Sequence, residues 1–221
     1  MVSTGLKELD QLLGSGYPER SSILIVGPPG IGKEALGYRF TQSGMLQGDH
    51  CLYATRLSVS EVLQDVRAYN VEPWLEPTWI ASRGSNEVLN VNDLAGLSFN
   101  IKEIIRKAED RRVRVVTDIV SSLLMLNPAD TIYRFLSQLF AEAKQYESVF
   151  LATVEEGMHR PEVLAAMEQI FDGVLEFKVY EEGFRIVPLL RITKMRGIPP
   201  QLGYFRFTLS HGRMEVTPYA K

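Results

Sequence analysis

Ser22-Ile-Leu-Ile-Val26, Gly27-Pro28-Pro29-Gly30-Ile31-Gly32-Lys33 and Glu34-Ala-Leu-Gly-Tyr-Arg-Phe40 read in succession as a strand, a phosphate loop and a helix. The apolar run 23–26 suits a strand buried on both faces of a parallel sheet. The glycines let backbone N–H groups turn inward around an anion where the helix starts, and Lys33 adds a point charge beside them. Gly27, Pro28, Pro29, Gly30, Ile31, Gly32, Lys33 and Glu34 are therefore the candidate phosphate-binding residues. A plain Gly/Pro turn would account for the glycines. It would not account for a lysine at a helix N-terminus, where the macrodipole disfavours a cation unless an anion is bound. The pattern Gly-x-x-x-x-Gly-Lys is complete except at its last position, where a Ser or Thr hydroxyl would hold Mg²⁺ and Glu34 stands instead.

Outward from this stretch, strands and helices alternate. A short helix with a Ser/Thr cap is expected within residues 3–16, and the helix after the loop runs over 34–47. Strands are expected at 51–55, 79–81, 113–117 and 149–153, and helices at 59–69, 99–108 and 131–146. Pro73 to Pro77 breaks the pattern, residues 83–97 have no period and read as a surface connection, and the charged turn 109–112 ends a helix. This order predicts an α/β fold with a mainly parallel central sheet covered on both faces. From Asp172 the pattern changes. Residues 173–180 with 184–193, and 204–209 with 213–217 around Ser210-His211-Gly212, read as hairpins that add antiparallel strands at one edge. No internal repeat or low-complexity segment interrupts the chain, so residues 1–221 are expected to form one domain.

A hydrophobic content of 45% with 23% charged residues describes an ordinary globular protein. No apolar run approaches the ~20 residues of a membrane span, and the start lacks the basic and apolar parts of a signal peptide, so the expected location is cytoplasmic. One cysteine, Cys51, excludes internal disulfides and a cysteine zinc site, and its apolar surroundings predict a small core residue. A net charge of −3 argues against a protein that coats nucleic acid by neutralising phosphates. The basic residues Arg106, Lys107, Arg111, Arg112 and Arg114 flank a helix end and a strand start and read as solvated surface. His50, His159 and His211 share no metal-ligand spacing, and Trp74 and Trp79 read as packing residues.

Asp118 follows a strand, so its carboxylate stands at the strand's carboxyl end, where open α/β sheets bind ligands. There it is a candidate Mg²⁺ ligand, direct or through water; the structural alternative is a helix cap.

Several segments together resemble the KaiC family, a branch of the RecA superfamily: Ser3-Thr-Gly-Leu-Lys-Glu-Leu-Asp10, the loop Gly27 to Lys33, Arg114-Val-Val-Thr-Asp118 with Ser121-Ser122, Phe171-Asp-Gly-Val-Leu175, and Ile192-Thr-Lys-Met-Arg-Gly197. The resemblance implies a RecA-like P-loop NTPase core, a single such domain, with ATP and Mg²⁺ as cofactors. It implies a homo-oligomer, a hexameric ring among the options, with ATP between neighbours, and leaves room for a protein partner the residues do not identify. It also implies that Lys194 and Arg196 reach the γ-phosphate of ATP on the adjacent subunit; the plain alternative is two exposed charges protecting an edge strand.

Two departures bear on catalysis. The resembling family carries a pair of glutamates after the second strand to activate water, and Thr55-Arg56-Leu57-Ser58 holds no carboxylate. Glu155 and Glu156, at the end of a later strand, are the substitute candidates. The other departure is Glu34, which brings negative charge beside a triphosphate. The expectation is an ATP-binding protein with a regulatory or assembly role and weak or absent hydrolysis. Three other readings stay open: a working ATPase of the same family, a recombinase-like DNA-binding module, and a nucleotide-free interaction protein.

Overall fold

In the computed structural model all residues are described except 72, 73, 75, 109, 110, 200, 201, 211, 212, 220 and 221. Strand β1 (Ser22–Gly27) is buried along its whole length. Its side chains alternate between two cores, Ile23 and Ile25 facing one and Leu24 and Val26 the other. A strand sandwiched between helical layers needs that double burial, which explains the unbroken apolar run.

β1 pairs in parallel with β6 (Ser148–Glu155) on one side and β7 (Gly173–Glu182) on the other. The remaining strands are β2 (His50–Ala54), β3 (Thr78–Ala81), β4 (Glu87–Val88), β5 (Val113–Thr117), β8 (Arg185–Met195), β9 (Phe205–Ser210) and β10 (Arg213–Pro218). They form one ten-stranded sheet in the order β10-β9-β8-β7-β1-β6-β5-β2-β3-β4. From β7 to β4 the pairing is parallel, and β8, β9 and β10 extend it as an antiparallel edge.

Helices α1 (Lys7–Leu12), α2 (Glu34–Leu46) and α3 (Val59–Ala68) cover the face of Ile23 and Ile25. Helices α4 (Leu94–Arg106), α5 (Val120–Leu126), α6 (Ala129–Ala143) and α7 (Pro161–Ile170) cover the face of Leu24 and Val26. Cys51 is a buried free thiol, and Trp74 and Trp79 pack with Tyr38 and Tyr53 in an aromatic cluster. Among the described residues no helix is long and apolar enough to cross a membrane.

Several local expectations need correction. Ser3 and Thr4 do not cap α1, whose N-cap is Leu6; the Asp10 carboxylate instead accepts from Ser3 Oγ and Thr4 N, both at 2.7 Å, folding the segment back on the helix. Residues 83–97 are not a plain connection, because β4 pairs with β3 and α4 begins at Leu94 with Asp93 as its cap. Helix α7 had no counterpart in the sequence reading. Its N-terminal proline signals a start, but a single fully buried side chain, Met167, leaves little periodicity. Pro73, Leu75, Glu109, Asp110, His211 and Gly212, parts of the expected breaks and turns, lie outside the described residues.

Arg114 overturns the solvated-surface reading of its cluster. Its side chain is 0% exposed, and it donates to Asp49 Oδ2 at 2.7 Å, Ser3 O at 2.8 Å, Phe40 O at 3.1 Å and Gln47 Oε1 at 3.0 Å. Its guanidinium lies 4.7 Å from the Phe40 ring centroid. A planar fork of five donors matches that set of oxygens, and an ammonium could not. Gly44 in mid-helix makes the room: a Cβ there would sit 2.5 Å from Arg114 Cδ.

Candidate functional site

β1 ends at Gly27, and the loop beyond it rises from the carboxyl edge of the parallel strands. Gly30 and Gly32 have φ of 74° and 87°, backbone that L side chains rarely adopt, which the turn into α2 requires. At Gly32 the approach is close as well, since a Cβ would collide with Leu209 of β9.

Lys33 sits immediately before α2 with helical backbone and its side chain 0% exposed. Its ammonium donates to Glu155 Oε2 at 2.7 Å, Glu34 Oε1 at 2.9 Å and Pro28 O at 3.4 Å. The buried cation at a helix N-terminus is thus neutralised by two carboxylates. Glu155, the last residue of β6, stands opposite Gly27 in the register, and its N–H donates to Ser121 Oγ at 2.9 Å. Glu156 turns elsewhere and pairs with Lys178 at 2.8 Å.

Asp118 follows β5 at the same edge of the sheet. Its carboxylate accepts from Thr55 Oγ1 at 2.6 Å and from Arg56 N at 3.2 Å. Burial pushes its acid pKa above the ordinary value, and the Thr55 hydrogen bond works against that rise. The Glu34 carboxylate contributes to the same rise, so the two acids share one electrostatic environment. The cap reading of Asp118 is not met: Ile119 is the N-cap of α5, its N–H donates to Thr117 Oγ1 at 3.3 Å, and the Asp118 carboxylate is held by Thr55 and Arg56 instead.

The hydroxyls of the loop after β2 are committed. Thr55 holds Asp118, while Ser58 and Glu61 form a capping box that starts α3: Glu61 Oε2 accepts from Ser58 N at 2.7 Å and Ser58 Oγ accepts from Glu61 N at 3.3 Å.

Lys194 and Arg196 lie at the other edge. Ile23 pairs with Gly173, and Gly173 with Met195, so these residues flank the start of β1 while the phosphate loop leaves its end. Lys194 donates to the carbonyls of Glu168, Gln169 and Phe171 at 3.1, 3.1 and 2.6 Å, closing the C-terminus of α7. Arg196 is 70% exposed and pairs with Asp172 at 2.9 Å.

The donor chemistry can be tested against a phosphate and Mg²⁺. The Lys33 ammonium donates to two carboxylate oxygens, the same charge-assisted chemistry that anionic phosphate oxygens offer, so the donor set fits an anion. Among the described residues no group of three or more His, Cys, Asp or Glu side chains could hold a metal by itself. Glu34 and Asp118 fit Mg²⁺ only as an ion completed by phosphate oxygens and water, the usual habit of that cation.

Sequence reasoning missed the pairing of Glu155 with Lys33 and the Thr55–Asp118 bond. Both join residues far apart in the chain, and only the parallel register brings them together. It also missed the groove of about 540 Å³ beside the loop, lined by residues including Tyr69, Arg185 and Arg206.

The comparisons agree on one relationship. A family model described as an ATPase, KaiC, matches residues 2–221. A UPF0273 protein of Aeropyrum pernix is 26% identical over 98% of this chain and 93% of its own length. A UPF0273 protein of Saccharolobus solfataricus is 31% identical over 58% of this chain and 51% of its own length. The circadian clock protein KaiC2 of Synechocystis is 26% identical over 97% of this chain, which spans 39% of that protein.

Proposed function

We propose that this chain, which belongs to the KaiC ATPase family, binds ATP and uses nucleotide occupancy to control its assembly or a partner protein, hydrolysing ATP slowly or not at all. The family domain is RecA-like, and the mainly parallel sheet with an antiparallel C-terminal edge has that architecture. In this reading Gly27 to Lys33 hold the β and γ phosphates, Glu34 and Asp118 orient Mg²⁺, and the ion offsets charge on the phosphates. One observation carries the weak-hydrolysis part: residues 55–58 after β2 hold no carboxylate, and their hydroxyls are engaged, Thr55 on Asp118 and Ser58 in its capping box. A general base must be within hydrogen-bond reach of the water, and this loop supplies none.

Lys194 and Arg196 lie at the opposite edge of the sheet from their own chain's loop, so in this reading they act toward a neighbour's nucleotide, Arg196 from its exposed position and Lys194 only on release from the carbonyls that end α7. That role goes with a homo-oligomer carrying ATP between subunits. A working ATPase is the second reading, and Glu155 favours it by standing at the phosphate end of the loop, 2.7 Å from Lys33.

The deciding experiment is size-exclusion chromatography with light scattering, with and without Mg-ATP, coupled to a phosphate-release assay. The expected result is an assembly that responds to Mg-ATP with phosphate release near background. Steady release that disappears in Glu155→Gln or Glu156→Gln would favour the working enzyme. Tight ATP binding by Lys33→Ala would overturn the site altogether.

A further inference from the structure

We propose that Glu34 and Glu155 form a built-in latch on the phosphate loop, their carboxylates competing with a nucleotide's phosphates for Lys33. The inference rests on reading the loop as a nucleotide site and adds the way that site is regulated.

All the donors of the Lys33 ammonium are spoken for by Glu155, Glu34 and Pro28 O. Neither carboxylate arrives on a wandering loop. Glu34 belongs to the first turn of α2, and Glu155 ends β6 with its own N–H held by Ser121. Two carboxylates on one ammonium leave the seat with a net negative charge, and a phosphate entering it meets repulsion before it meets the lysine. To bind, it must replace two charge-assisted hydrogen bonds, the strong kind.

A Ser or Thr at position 34 would carry no charge and leave Lys33 facing the loop with one acidic neighbour fewer. Glu34 therefore changes the resting state of the site as well as its metal chemistry. The latch can also open. The side chains of Glu34 and Glu155 keep 29% and 26% of their surface exposed, so each has water to turn into once Lys33 is taken. Apparent affinity is then the intrinsic affinity reduced by the fraction of molecules with the latch open.

The test titrates the full chain and its Glu34→Gln and Glu155→Gln variants with Mg-ATP, and separately with inorganic triphosphate, by calorimetry, and records melting temperatures with and without ligand. Each variant is expected to bind metal-free inorganic triphosphate about tenfold tighter or more, the scale of losing one charge-assisted competitor, and Glu155→Gln to bind Mg-ATP tighter by the same factor. Glu34→Gln also removes a carboxylate from the Mg²⁺ set, so its latch effect is read with triphosphate alone. The ligand-free melting temperature of each variant is expected to fall, because buried Lys33 loses a partner. Opposite signs in the two readouts mark a latch, whereas a purely structural pair would lower both. Glu34→Thr carries the same prediction should Glu155→Gln not fold. Variants that bind no tighter than a wild type that does bind would overturn the latch and leave the nucleotide site standing. Absence of binding by wild type and every variant would overturn both.

Discussion

Thr55 donates its hydroxyl to Asp118 Oδ2 at 2.6 Å, joining the residue after β2 to the residue after β5 across the carboxyl edge of the sheet. The first side chain after β2 is thereby a fixed donor to the candidate metal carboxylate. Thr55→Val keeps the shape and removes the donor, leaving a buried carboxylate with the Arg56 N–H. The expected loss is about 1–3 kcal/mol at pH 7, read as a lower urea midpoint with unchanged slope. Thr55→Ser should recover most of it. Equal stability of the Val variant would show that the bond contributes nothing to the fold.

Arg114 makes a second demand that its charge alone cannot meet. Lysine at that site keeps the cation and part of the Asp49 pair but loses the fork that spans Ser3, Phe40 and Gln47. Removing one partner of a buried ion pair costs about 3–5 kcal/mol, so Arg114→Ala is expected in that range. Arg114→Lys should stay at least about 2 kcal/mol below wild type because carbonyls remain unpaired. Chemical denaturation of the three proteins decides it, and full rescue by lysine would reduce the hub to a point charge.

These two residues also show what the sequence made legible. The β1-loop-α2 unit announces itself locally, because burial on both faces demands an unbroken apolar run and the left-handed turns demand glycine. The hairpins after Asp172 were readable for the same local reason. Arg114 was misread because its neighbours Arg111 and Arg112 suggested a solvated cluster, and nothing in the chain near it names Asp49 or Phe40. The commitment of Thr55, and the pairing of Glu155 with Lys33, depend on strand order, with β6 lying between β1 and β5. The identities of candidate residues can thus be read in one dimension, but their partners are set by the sheet.

Asp172 gives the fold an acid limit. It is buried, and burial alone would raise its pKa, but Lys144 and the Ser22 N–H and hydroxyl overcome that and hold it below its ordinary value of 3.8. The folded state therefore binds fewer protons than the unfolded state, and stability rises with pH across this window. The contribution is complete above about pH 4 to 5 and is lost as pH falls through the depressed value. Asp118 has the opposite slope, since its raised pKa favours the folded state at low pH. It is common to both proteins, however, so comparing wild type with Asp172→Asn isolates Asp172. Urea midpoints from pH 7 down to pH 3 should show a gap that narrows below pH 4. A constant gap would mean that the carboxylate's charge is not what holds Lys144 and Ser22.

Arg196 and Lys194, two residues apart, should separate cleanly on mutation. Arg196 is 70% exposed and its pair with Asp172 is of the surface kind, worth about 0–1 kcal/mol. Lys194 instead closes the end of α7 through three carbonyls. Arg196→Ala is therefore expected to melt within a few degrees of wild type and to bind Mg-ATP as a monomer, while failing to form a nucleotide-dependent oligomer. Lys194→Ala is expected to lower the melting temperature more, because it frees a helix terminus as well as removing a cation. Light scattering of both variants with Mg-ATP, beside their thermal melts, tests the pair. If Arg196→Ala assembles as wild type does, the guanidinium has no work on a neighbouring subunit, and its place at the edge away from the loop reduces to holding Asp172.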